Sequence, residues 1–160
     1  MIKVNIVDID EKLYKMLVRH CLNGCNEVSF HFPGVSDDGK PLNDSIWVDY
    51  HKNTDDFKKK CFNNGGRKTC SKHYAGMKLG LYSIIIQVKL FDYIKQTIID
   101  RPLFDWTVQN NLPEDVCLYK NGVMRIFSCS HEEEFNIYNE NDSDINFLSS
   151  NGFEFYIFKD

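Results

Sequence analysis

Two strand-like runs, Val116 to Lys120 and Val123 to Ser128, are separated only by Asn121 and Gly122. Asn and Gly both accept the positive φ that a type I′ turn demands, so the spacing predicts a two-residue β-hairpin. Any sheet in this chain therefore contains antiparallel pairing. The rest of the sequence supplies further strands and several helices without a regular β-α alternation. That pattern predicts an α+β fold with a mixed or antiparallel sheet and a few packed helices.

The individual elements follow from periodicity and caps. Ile2, Val4 and Ile6 alternate with Lys3 and Asn5, which reads as a short opening strand. Asp8 then reads as a helix N-cap with Glu11 three residues on, and Ile9, Leu13, Met16, Leu17 and Cys21 form one apolar helical face stopped near Gly24. Val28 to Phe32 reads as a strand ended by Pro33-Gly34. A turn-rich loop covers 34–46, Trp47 to Tyr50 reads as a short strand, and Asp55 to Phe62 as a short helix broken by Asn63-Asn64-Gly65-Gly66. Tyr82 to Leu90 fits both a strand and a helix, and its three consecutive isoleucines favour the strand. A helix from Phe91 to Ile99 stops at Arg101-Pro102. Ser143 or Asp144 caps a helix through Leu148, Gly152 ends it, and Phe153 to Phe158 closes the chain as a strand.

Residues 1–160 read as a single globular domain. A chain of this length buries roughly 70% of its unfolded surface, enough for a core without covalent staples. No run approaches a membrane span, and the opening MIKVNIVDIDEKL lacks the basic and apolar regions of an export signal. The six cysteines, at 21, 25, 61, 70, 117 and 129, are accordingly expected as free thiols in a cytoplasmic protein.

No motif announces catalysis. Cys21-x3-Cys25 with His20 and His31, Cys61-x8-Cys70-x2-His73, and Cys117-x11-Cys129-x1-His131 all lack the tight spacing of a structural zinc knuckle, so no metal or cofactor is expected. His131-Glu132-Glu133-Glu134 begins like HExxH, but Phe135 stands where the second histidine belongs. Neither a GxSxG elbow nor a GxxxxGK[ST] loop is present. A small enzyme using Cys117, Cys129 or His131 as a thiol–imidazole pair stays open, because such partners meet only in the fold. Gly65-Gly66-Arg67-Lys68 reads as a basic turn rather than an anion nest. Phe147, Phe153, Phe155, Tyr156 and Phe158 read as core rather than as a stacking platform for nucleic acid.

Charge is the remaining signal. Residues 1–113 carry 16 basic and 13 acidic side chains, whereas 114–160 carry 3 and 10. A basic stretch at 51–80 contains Lys52, Lys58, Lys59, Lys60, Arg67, Lys68, Lys72 and Lys78. Glu114, Asp115, Glu132, Glu133, Glu134, Glu140, Asp142 and Asp144 cluster in the acidic third, set between turns. Carboxylates shown on short loops repel nucleic acid, can imitate phosphate, and steer a cationic partner.

The stretches LPEDVCLYKNG (112–122), IFSCSHE (126–132) and NFLSSNGFEF (146–155) resemble a pattern in bacterial toxin-immunity proteins, including those of contact-dependent growth inhibition systems. The resemblance covers the last fifty residues. It implies a non-enzymatic protein that neutralises a cognate toxin domain, with a basic nuclease as the expected target, by masking its active site. The eight carboxylates would then be the partner-binding residues. A general protein-interaction module is the third reading.

Overall fold

The computed structural model describes residues 1–159. In chain order the elements are β1 (Ile2–Val4), α1 (Glu11–Leu22), β2 (Glu27–Val35), α2 (Ser45–Asn53), α3 (Asp55–Asn63), β3 (Arg67–Tyr74), β4 (Met77–Lys89), α4 (Asp92–Asp100), β5 (Glu114–Lys120), β6 (Val123–Cys129), β7 (Glu134–Ile137), α5 (Asp142–Ser150) and β8 (Phe155–Ile157). The eight strands form one sheet in the order β3-β4-β2-β5-β6-β7-β1-β8, and every pairing is antiparallel. The α+β expectation holds, with the antiparallel form of the sheet. None of the described helices is long and apolar enough to cross a membrane.

Register sorts the two faces. Val88, Val28, Leu118, Ile126, Ile137, Ile2 and Ile157 stand opposite one another in turn across the sheet. All but the last are buried, and they belong to the main core under the helices. Each such side chain contributes about 1.5–3 kcal/mol by leaving water. Phe30, Phe32, Phe57 and Trp106 meet mostly edge-on at 5.3–6.2 Å to fill the centre of that layer. Helix α1 is tied to the end of α4 by the Tyr14 hydroxyl, whose single proton is shared between the carbonyls of Ile98 (2.8 Å) and Arg101 (3.0 Å).

The next row belongs to the other face and is far more polar: Arg67, Gln87, Ser29, Cys117, Phe127, Asn136, Lys3 and Tyr156. Strand β4 outruns β2, and its first half pairs only with β3, forming an arm. The tip turn Ala75-Gly76 has positive φ at both residues. Buried Tyr74 folds back from this arm over Cys117, Phe127 and Cys129 as a small second cluster.

Several local expectations are corrected. Trp47 to Tyr50 lies in helix α2, capped by the Asp44 carboxylate, which accepts from the Ile46 N–H at 2.9 Å. Trp47 and Tyr50, three apart, share its inner face, a period that a four-residue window does not separate from alternation. Strand β2 continues through Pro33-Gly34. Pro33 pairs opposite Ser83 beside an irregularity of the ladder, a place where proline is tolerated in a sheet, and Gly34 takes φ +83°. The cap of α1 is Asp10, not Asp8, which has left-handed φ instead. The cap of α5 is Asn141, with Asp144 at the third helical position completing a capping box. The closing strand shrinks to Phe155–Ile157, and β3 and β7 are strands that the sequence reading did not separate from turns.

Candidate functional site

Opposite Ser29 and His31 the β2–β5 register slips, so that Asp115 and Val116 together face Phe30. Asp115 occupies this bulge with φ +53°, a conformation Asp tolerates better than most residues. The bulge aims its carboxylate into the polar face. There Oδ2 meets His31 Nε2 at 3.2 Å, and Oδ1 accepts from the Ser130 N–H at 3.4 Å. The Asp115 carbonyl accepts from the Tyr74 hydroxyl at 2.7 Å. The other imidazole nitrogen of His31 meets Ser83 Oγ at 3.1 Å.

Ser83, His31 and Asp115 thus form the hydroxyl–imidazole–carboxylate chain familiar from hydrolases. Nothing can reach it. Ser83 is 0% exposed, His31 3% and Asp115 5%. In this setting the chain pairs polar groups that burial would otherwise leave unsatisfied. Sequence reasoning had no signal for it, since the three residues are separated by up to 84 positions.

The turn between β6 and β7 rests on this network. Ser130 Oγ contacts the carbonyls of Leu103 (3.1 Å) and Trp106 (2.8 Å), and the His131 ring meets the Glu114 carboxylate at 3.1 Å. Above these anchors Glu132 and Glu133 are exposed, with Glu133 in left-handed φ.

The eight expected partner-binding carboxylates are not all displayed on loops. Glu114, Asp115 and Asp144 are buried, because each finds a cationic or hydrogen-bonding partner far away in sequence. Glu134 opens β7 and pairs with Lys3 at 2.7 Å, and Glu140 pairs with the terminal ammonium of Met1 at 2.9 Å. Glu132, Glu133 and Asp142 are the exposed members. Strand β7 separates the first two from Asp142. Its four residues span about 13 Å, which exceeds the ~8 Å screening length at physiological salt. The acidic third therefore presents two local sites rather than one field.

Asp144 belongs to the second of these. A register shift in the β5–β6 ladder leaves Arg125 as an extra residue beside Ile126. Its guanidinium donates to the carbonyls of Tyr138 and Asn139 and to Asp144 Oδ2 at 2.8 Å. Asp144 Oδ1 meets His20 Nε2 at 3.0 Å, and His20 stacks on Phe147 at 4.0 Å. Burial raises the Asp144 pKa, but hydrogen bonds from Arg125 and His20 outweigh it and hold the carboxyl below its ordinary range. These contacts line a cleft of about 560 Å³ that also includes Lys120, Asn121 and Asn23. Arg125 and Asp144 spend their hydrogen-bonding capacity on pinning α5 to β6 and α1.

The thiols are poor nucleophiles. Burial pushes Cys117 up to about 12 and Cys129 up to about 11, whereas an activated thiol is depressed. Among the described residues neither thiol is hydrogen-bonded to the His131 ring, which is turned to Glu114 and solvent. No three His, Cys, Asp or Glu side chains gather as a metal site among the described residues. The Gly65 and Gly66 N–H groups donate to the carbonyls of Phe62 and Cys61, closing helix α3, so they are not free to cradle an anion. Of the aromatics read as core, Phe147 and Phe153 do pack inward, but Tyr156 and Phe158 are exposed. Comparison with protein-family models, with curated proteins and with solved structures finds no match.

Proposed function

We propose that this protein is a non-catalytic cytoplasmic immunity protein that binds a basic toxin domain, a nuclease being the target the charge favours, and blocks its active site. The observation that supports the reading is the β6–β7 turn. Glu132 and Glu133 stand exposed on a backbone held from beneath by Ser130, Asp115, His131 and Glu114. A turn whose backbone is already held before encounter loses less conformational entropy on binding than a free loop. Its charge speeds association with a cationic cleft, and protection of a cell depends on fast, lasting occupancy rather than turnover. The enzyme alternative is less well supported, because its thiols are pushed up and its one hydroxyl–imidazole–carboxylate chain is sealed.

The test is co-expression with the product of the adjacent gene. That product should arrest growth when expressed alone, be silenced by this protein, and co-purify with it. Glu132→Gln with Glu133→Gln should slow association several-fold at low salt and little at high salt, since steering is screened. A neighbouring product that is neither toxic nor bound refutes the reading in favour of a general interaction module. An unchanged association rate moves the interface away from this turn.

A further inference from the structure

Four glycines in the chain follow an asparagine, in the pairs Asn23-Gly24, Asn64-Gly65, Asn121-Gly122 and Asn151-Gly152. In such a pair the glycine amide nitrogen can attack the side-chain carboxamide carbon, because no Cβ crowds it. The attack needs rotation about the asparagine Cα–C bond, so the hydrogen bonds that hold the following residues must open first. Four pairs that are alike in sequence therefore differ in the fold.

Two of the asparagines close helices and are held on both sides. At the end of α3, Asn64 Nδ2 donates to the Lys60 carbonyl at 2.8 Å, the Gly65 N–H to Phe62 at 3.1 Å and the Gly66 N–H to Cys61 at 2.9 Å. At the end of α5, Asn151 Nδ2 donates to the Phe147 carbonyl at 2.8 Å, the Gly152 N–H to Ser149 at 3.3 Å and the Phe153 N–H to Leu148 at 3.0 Å. Asn121 sits in the hairpin turn closed by the Lys120–Val123 pair, and its Oδ1 accepts from Asn26 Nδ2 at 3.1 Å. Asn23, at the end of α1, is different. It is exposed, and among the described residues neither its carboxamide nor the Gly24 N–H has a hydrogen-bond partner. Rotation there gives up one bond, from the Cys25 N–H to the Leu22 carbonyl at 3.1 Å. A helix end held so lightly frays at little cost.

We propose that Asn23-Gly24 is a self-modification site, at which the folded chain deamidates without an enzyme. The Gly24 nitrogen gives its proton to solvent and bonds to Asn23 Cγ. The Cγ–Nδ2 bond breaks, and Nδ2 takes a proton from solvent and leaves as ammonia. Water then opens the resulting succinimide ring. Attack at Cγ restores the main chain with an aspartyl residue, and attack at the main-chain carbonyl carbon leaves an isoaspartyl link. Either product replaces a neutral amide by a carboxylate in the cleft that holds His20, Lys120 and Arg125. It also sets negative charge at the carboxyl end of α1, where the helix carbonyls disfavour it. This inference stands independently of the toxin reading.

The test is to incubate the folded full-length protein in mildly alkaline buffer and to map its peptides by mass spectrometry over time. Position 23 should convert at least about tenfold faster than 64 and 151, each of which must open two further hydrogen bonds. It should also outpace 121, and its rate should rise with pH because only the deprotonated nitrogen attacks. In denaturant, where the protection is gone, the four positions should convert within a few-fold of one another. Gly24→Ala is the silencing variant. Gly24 lies outside the left-handed region and an added Cβ meets nothing within 4 Å, so the variant folds. Its methyl crowds the attacking nitrogen, so the acidic species that accumulates on isoelectric focusing should form several-fold more slowly. A native protein in which another Asn-Gly pair converts before position 23 overturns the proposal. So does a ranking that is the same in native and denatured protein, or an acidic species that forms at an unchanged rate in folded Gly24→Ala.

Discussion

Gly34→Ala should be among the most damaging single-methyl additions in this protein. Gly34 has φ +83°, and a Cβ there overlaps Cδ2 and Cε3 of the Trp47 indole and lies 2.7 Å from its Cγ. Left-handed backbone costs an ordinary residue about 1–2 kcal/mol. The overlap then forces Trp47 off its seat on Gly34 and against Tyr50, whose ring it meets edge-on at 6.2 Å. Losing a fully buried Trp costs about 3–5 kcal/mol, so displacing a half-buried one costs about 2 kcal/mol. The sum is about 3–4 kcal/mol, or a Tm lower by about 10 °C for a chain of this size. Gly65→Ala is the control, with φ +82° and nothing within 4 Å of the added methyl, so it should cost the backbone strain alone. Urea denaturation of Gly34→Ala, Trp47→Ala and the double variant should give a coupling energy near ~2 kcal/mol, because removing the indole removes the clash. If Gly34→Ala and Gly65→Ala prove equally destabilising, or the coupling stays within ~0.5 kcal/mol, the close approach of α2 to β2 is not what constrains position 34.

Lys58 is buried over the Phe32 ring, with Nζ 2.9 Å from His51 Nδ1, and desolvation lowers it to about 8. The unfolded chain then holds one more proton between about pH 8 and its ordinary value of 10.5, so stability should rise with pH across that window. Lys58→Met should stabilise the protein at pH 7 and flatten the rise; a rise that survives the substitution assigns it to another group. Asp144, held below its ordinary range, contributes stability at neutral pH that is lost as pH falls through its folded value. Asp144→Asn should lower stability at pH 7 and shrink the acid-side decline, and an unaltered acid limb in calorimetry would count against the Arg125–Asp144–His20 contacts as its source. A disulfide-exchange reagent should count six thiols in denaturant, with Cys61 and Cys117, both 0% exposed, unreactive in the native protein. A count of two or fewer in fresh protein purified without reductant contradicts a reducing compartment.

What the sequence determined by itself was whatever a few adjacent residues decide. Asn121-Gly122 specifies its hairpin because only certain residues adopt positive φ, and both do so here, at +52° and +79°. Ile84, Ile85 and Ile86 lie in a strand, as their branched side chains favour. The helix before Pro102 and the α3 helix before Gly65-Gly66 were legible for the same local reasons. Tertiary structure decided the rest, because the deciding partners lie far off in sequence. Trp47 to Tyr50 is helical because it packs over Gly34 and sends the Tyr50 hydroxyl to the Leu112 carbonyl at 2.8 Å. Asp115 and Asp144 look like solvated carboxylates until His31, Arg125 and His20 reach them from other elements. Charge in a sequence is only a count. Whether a carboxylate faces a partner or an internal cation depends on burial, and burial is set by the register of strands that meet only when the sheet closes.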